Sequence, residues 1–126
     1  MSLLLDSNAL LWLLWGSTRL GSDTRARIEA ESRLMVSDVT LFEVSLKAAR
    51  KKITLPPQVG ALVEQVGIMR VGVTDENLDR MRELPPHHRD PFDRYLIAQA
   101  LVDGVPIVTS DPVFALYGVQ VVDARS

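Results

Sequence analysis

Cysteine is absent from the 126 residues. That excludes disulfides, zinc–thiolate sites and thiol catalysis, and it suits a reducing compartment. Also missing is any apolar run long enough to span a bilayer. The stretch Leu3 to Trp15 carries Asp6 and Asn8 inside it, lacks the basic start of a signal segment and is too short to cross. A cytoplasmic chain without membrane association is the expectation. Charge of one sign is scarce as well: the formal net charge is −2, so any contact with a polyanion must be local. No repeat, low-complexity tract or interdomain linker interrupts the chain, and Pro56-Pro57 and Pro85-Pro86 read as internal loop marks. What is present is a hydrophobic fraction of 47% in a length typical of one domain, enough to bury a real core.

Strand and helix signals alternate along the chain. Ser2 to Leu5 reads as a short apolar strand, followed by a helix from Asn8 to Trp15 that is apolar on nearly every face. Ser22 is a candidate cap for a helix to about Ser32, and Leu34 to Val36 is a second strand. Ser37, Asp38 and Thr40 offer caps for a helix reaching about Lys51, with Leu41, Val44 and Ala48 on one face and Glu43 and Lys47 on another. A helix after Pro56-Pro57 to about Val66, a strand over Ile68 to Val73 and a helix opened by Thr74 that fades at Leu84 come next. Asp90 and Pro91 read as cap and first position of a helix to about Val102, ended by Gly104. Pro106 to Thr109 is a fourth strand, Asp111-Pro112 opens a short helical turn, and Val119 to Val122 adds a fifth strand. Such alternation predicts an α/β/α sandwich around a mostly parallel sheet of four to five strands.

That architecture gives four scattered acids a common address. In right-handed βαβ units the C-terminal end of a strand lies beside the N-terminus of the next helix. Asp6 and Asp111 directly follow strands, and Glu43 lies an early turn into the helix after the second strand. Asp93 reaches the same edge only if Leu84 to Arg89 climbs back across the sheet. A ten-residue helix falls roughly 15 Å and six or seven extended residues reach about 20 Å, so the return is feasible.

Each acid also has a purely structural reading. Asp6 suits a cap for the helix beginning near Asn8, Asp90 caps its own helix, and Asp93 favours the positive helix end. Asp111 before Pro112 opens a turn, and Glu43 could be one more exposed helix glutamate. None of these explains why all four fall on one edge. Two carboxylates about 4 Å apart repel by roughly 1 kcal/mol in water and about 4 kcal/mol near a protein surface. Raised pKa values or a bound cation relieve that cost, and an all-oxygen set favours Mg²⁺ or Mn²⁺ over zinc.

Four segments carry a resemblance: Leu4 to Ala9 (LLDSNA), Ser37 to Val44 (SDVTLFEV), His88 to Ala100 (HRDPFDRYLIAQA) and Val108 to Asp111 (VTSD). In this order they resemble the PIN-domain ribonuclease toxins of the VapC type, over nearly the whole chain, with the third segment the most specific. The resemblance implies one PIN-like domain over residues 1–126. It also implies a magnesium-dependent endoribonuclease of a toxin–antitoxin pair, a homodimer inhibited by a small cognate antitoxin. Asp6, Glu43, Asp93 and Asp111 then correspond to its metal-binding and catalytic acids, and Asn8 and Thr109 to polar supports. Counting back from Val108-Thr109 selects Asp93 over Asp90, which remains a cap beside the site. Ser7 stands where the family commonly has Thr.

Outside that set, Lys47, Arg50, Lys51 and Lys52 form the densest basic stretch, suited either to flanking phosphates of an RNA or to the negative end of a helix. The helix with Trp12 and Trp15 has more apolar surface than one core-facing stripe needs; most of it reads as core, with a dimer or antitoxin surface as the alternative for the rest. His87 and His88 read as loop histidines, solvated by default and not required as metal ligands. A receiver-type signalling domain would need paired acids after the first strand and a late lysine, but no Lys follows Lys52. A haloacid-dehalogenase-like phosphatase would want Asp where Asn8 stands. A catalytically weak PIN-like module that binds RNA or protein is the non-enzymatic alternative.

Overall fold

In the computed structural model, which describes residues 1–126, three consecutive leucines set the frame. Leu3, Leu4 and Leu5 of β1 (Ser2–Leu5) are all fully buried, as expected for a strand covered on both faces. Pleating sends Leu3 and Leu5 to one face and Leu4 to the other. The chain continues through α1 (Ser7–Leu14), α2 (Ser22–Ala30), β2 (Arg33–Ser37), α3 (Asp38–Ala49), α4 (Val59–Gln65) and β3 (Ile68–Val71). It ends with α5 (Asp75–Arg82), α6 (Pro91–Asp103), β4 (Ile107–Thr109), a 3₁₀ turn (Pro112–Tyr117) and β5 (Val121–Asp123). The five strands form one parallel sheet in the order β3-β2-β1-β4-β5.

Two apolar clusters fill the faces. Leu3, Leu5, Val36 and Val108 pack with residues of α1 to α4 such as Leu10, Ile28, Leu41 and Val63. On the other face, Leu4, Met35 and Ile107 pack with Leu96, Ala100 and Phe114. The register Leu4↔Met35, Leu4↔Ile107, Leu5↔Val36 and Leu5↔Val108 keeps each face continuous across three strands. The result is the expected three-layer sandwich with five strands, every one parallel.

Several boundaries shift from the sequence reading. Gly21, not Ser22, precedes α2 and offers no side chain. The helix is capped across the fold instead, because Asp23 and Thr24 N–H groups donate to the Ser126 carbonyl. A Cβ on Gly21 would run into the Ser126 backbone, so this close approach explains the glycine. β3 stops at Val71 rather than Val73, and β5 begins at Val121 rather than Val119, since pairing needs a partner strand opposite. In α1, Trp12 is buried while Trp15 is half exposed, so most of its broad apolar surface serves the core. No helix is long and apolar enough to cross a membrane.

Candidate metal centre

The C-terminal ends of β1, β2 and β4 and the N-terminal turns of α1, α3 and α6 converge on one sheet edge. Asp6 ends β1 and caps α1, its Oδ1 accepting from the Ala9 N–H at 2.8 Å. The capping and the site-facing readings of this residue are therefore compatible. Asp6 is only 6% exposed. Burial pushes its carboxyl up to about 6; hydrogen bonds from Thr109 and Ala9 oppose the shift, and the charges of Glu43 and Asp111 add to it.

Glu43 is also buried, one turn into α3. Its Oε2 pairs with Lys47 Nζ at 3.5 Å, the favourable i,i+4 spacing. Its Oε1 is buried with no hydrogen-bond partner. A bare carboxylate oxygen among other acids is costly, and a cation is a partner that would satisfy it. Lys47 is the member of the basic stretch that meets an acid here. Arg50, Lys51 and Lys52 lie at and past the end of α3, on the order of 10 Å further along the axis. For them the helix-end reading stands.

Asp93 sits in the first turn of α6, behind a cap made by Asp90, whose Oδ1 accepts from the Phe92 and Asp93 N–H groups at 2.8 and 3.3 Å. Burial raises Asp93 to about 7, with Asp90, Glu43 and Asp6 adding repulsion and His88 pulling the other way. The return of residues 84–89 to this edge is held by Arg94. Its guanidinium donates to the carbonyls of Pro85, His88, Met81 and Leu84 at 3.1 to 3.4 Å. Asp111 caps the 3₁₀ turn, Oδ1 accepting from the Val113 N–H at 2.9 Å. Thr109 is buried, and its hydroxyl oxygen accepts from the Asp111 N–H at 3.0 Å, so it ties Asp6 to Asp111. Asn8 is exposed on α1 and makes no hydrogen bond to the acids.

His88 departs most from the sequence reading. Its side chain is only 15% exposed. Nε2 lies 3.0 Å from Asp93 Oδ2 and 2.9 Å from Asp111 Oδ2, while Nδ1 faces the Asp90 N–H at 3.2 Å. Its backbone N–H donates to the Tyr117 hydroxyl at 2.7 Å, and its ring meets Phe114 edge-on. Sequence periodicity carries no signal for such a loop residue; its place shortly before an Asp-Pro cap in the most specific segment is the available hint.

Glu43 Oε1 is the observation that tests the fit of a cation: a buried anionic atom that no protein group satisfies, beside two acids whose protons burial and repulsion retain. The donor set is carboxylate oxygen, which suits a hard divalent ion such as Mg²⁺ or Mn²⁺. A separate groove of about 640 Å³ between α3 and α4, lined by Leu41, Phe42, Val59 and Arg70 among others, contains none of the four acids.

Comparisons with known proteins bear on the fold and the family. No curated protein sequence matches the chain significantly. By structure the chain is similar to DNA-bound VapBC from Salmonella typhimurium, with a TM-score of 0.72, 19% identity and 98% of each chain covered. It is also similar to FitAcB from Neisseria gonorrhoeae, with a TM-score of 0.69, 17% identity and 97% of each chain covered. A toxin–antitoxin complex from Klebsiella pneumoniae gives 0.67, 19% and 96% of each. At these identities the likeness speaks for the fold. The family model of the PIN domain matches residues 3–119, nearly the whole chain, and the chain therefore belongs to the PIN-domain family.

Proposed function

We propose that the protein is a divalent-metal-dependent endoribonuclease, the toxin of a cytoplasmic toxin–antitoxin pair, working as a homodimer and restrained by a small cognate antitoxin. The unsatisfied Oε1 of Glu43 among Asp6, Asp93 and Asp111 carries the nuclease part of this reading. Membership of the PIN family, whose domains are generally nucleases, supports hydrolysis. The toxin part draws on similar structures described as toxin–antitoxin complexes.

Asp6, Glu43 and Asp93 would hold Mg²⁺ or Mn²⁺, with Asp111 beside them. The ion would supply Lewis acidity toward a phosphodiester oxygen and charge for the transition state. The chain's own residues define the rest. Lys47 holds Glu43 Oε2, which leaves Oε1 without a protein partner and available to the ion. Thr109 and the α1 N-terminus hold Asp6 in one rotamer. Lys47 is also a cation beside one of the acids that a flanking phosphate could meet.

A receiver-type reading loses its footing here, since that fold orders its strands 2-1-3-4-5 and this sheet runs 3-2-1-4-5. The test is cleavage of a mixed RNA pool with Mg²⁺ or Mn²⁺, with EDTA, and with Asp93→Ala. Metal-dependent cutting lost in the variant is the expected result; cutting retained by Asp93→Ala would refute the site. No cutting by the wild type, joined to no growth arrest on expression, would favour a binding module.

A further inference from the structure

We propose that His88 is a positioning residue of the acidic centre: it stays outside the coordination sphere and uses Nε2–H to strap Asp111 in place beside Asp93. This rests on the metal-site reading above.

The hydrogen-bond geometry of the imidazole carries the inference. One ring nitrogen bears a hydrogen and the other a lone pair. Nδ1 accepts from the Asp90 N–H, so its lone pair is used and Nε2 bears the hydrogen. Nε2–H then donates to Asp111 Oδ2 at 2.9 Å, with Asp93 Oδ2 standing 3.0 Å away as a close contact. The three ligand-type atoms lie within 4.8 Å of one another, close enough to suggest a His-Asp-Asp metal group. Ligation through Nε2 needs a lone pair there, whereas with Nδ1 accepting from the Asp90 N–H it is Nε2 that bears the hydrogen. His88 is thus built to donate.

Its surroundings fix that role. The backbone N–H is held by Tyr117, the carbonyl by Arg94 and the ring by the edge of Phe114. The Tyr117 hydroxyl in turn donates to the Pro85 carbonyl at 2.8 Å. Together with the Asp90 N–H on Nδ1, these contacts restrain the loop side chain more than a solvated histidine needs. The acids it meets come from different elements, α6 and the turn after β4. A donor on Asp111 fixes that carboxylate against the Asp93 side of the edge, while Asp93 Oδ1, which has no protein partner, stays free for a cation. Outer-shell donors of this kind orient ligating carboxylates, and their loss typically weakens metal affinity roughly 10- to 100-fold.

The experiment is Mn²⁺ titration of the purified chain followed by electron paramagnetic resonance, with wild type, His88→Ala and His88→Gln. Gln can place an amide N–H near the Nε2 position. The dissociation constant should rise roughly 10- to 100-fold in His88→Ala and return most of the way in His88→Gln. Bound Mn²⁺ should show no coupling to a directly coordinated histidine nitrogen. Unchanged affinity in His88→Ala, failure of Gln to restore it, or a coordinated-nitrogen signal would each overturn the proposal. If the wild type bound no Mn²⁺, the metal reading would fall separately. The strap would then be judged on metal-free protein by long-range ¹H–¹⁵N spectra: a His88 Nε2–H that disappears into solvent exchange rejects it, and a protected one keeps it.

Discussion

At the residue scale, the acids show how structural and chemical roles share one atom set. Asp6 and Asp111 each commit one oxygen to a cap and leave the other toward the site or its neighbours. Asp93 does not cap; it carries the largest penalty for being charged, and its carboxyl is raised to about 7. Asp93→Asn should therefore abolish RNA cleavage and Mn²⁺ binding yet stabilise the metal-free protein. Above neutrality the gain should be about 1 to 3 kcal/mol after allowance for solvent screening, read by urea denaturation in EDTA. A destabilised Asp93→Asn would show that burial and repulsion of the charged carboxylate do not govern this position. The sequence exposed the four acids plainly because strand ends and helix starts are legible. It could not expose His88, whose partners stand five and 23 residues away and meet it only through the loop's path.

At the scale of elements, α6 is the organising piece. Its start is determined locally by Asp90 and Pro91, and its end by Gly104 in the left-handed region, with φ of 65°. Replacing Asp90 by Ala should cost about 1 kcal/mol through the lost cap, with a smaller effect on cleavage than loss of Asp93. Arg94 acts between elements. Removing its fork from the carbonyls of Met81, Leu84, Pro85 and His88 in Arg94→Ala should cost roughly 2 to 3 kcal/mol. Arg94→Lys should recover little, since a point charge cannot reach four carbonyls at once. Chemical denaturation distinguishes these cases, and full recovery by Lys would show that charge alone sufficed. The cap of α2 escapes the sequence for the converse reason: Gly21 has no donor or acceptor side chain, and the Ser126 carbonyl supplies the acceptor from the far end of the sequence.

For the whole molecule, the acidic edge sets how stability depends on pH. Asp6 and Asp93 hold their protons more tightly when folded than at the ordinary carboxylate value of 3.8, so the folded state binds more protons than the unfolded one in between. Their contribution is fully present below 3.8 and is lost as pH rises through about 6 and about 7. The Tm of metal-free protein in EDTA should fall across that window, and Asp6→Asn should flatten part of the fall. Saturating Mg²⁺ or Mn²⁺ should oppose it, by about 2.7 kcal/mol at a hundred times the dissociation constant, increasingly so as protons leave. A Tm that rose through this window without metal would contradict the burial of these acids.

The parallel α/β layering, the apolar β1 and the convergence of Asp6, Glu43 and Asp111 on one edge were determined by the sequence itself. Strand periodicity, caps and the handedness of βαβ crossovers are local or nearly universal rules. The strand order, the return of Asp93 through residues 84–89 and the largely buried His88 between two acids were decided only in the folded chain. Those features depend on which surfaces pack and on hydrogen bonds between residues far apart in sequence. Neither periodicity nor composition records such partners, so they take shape only when the two apolar clusters close on the sheet.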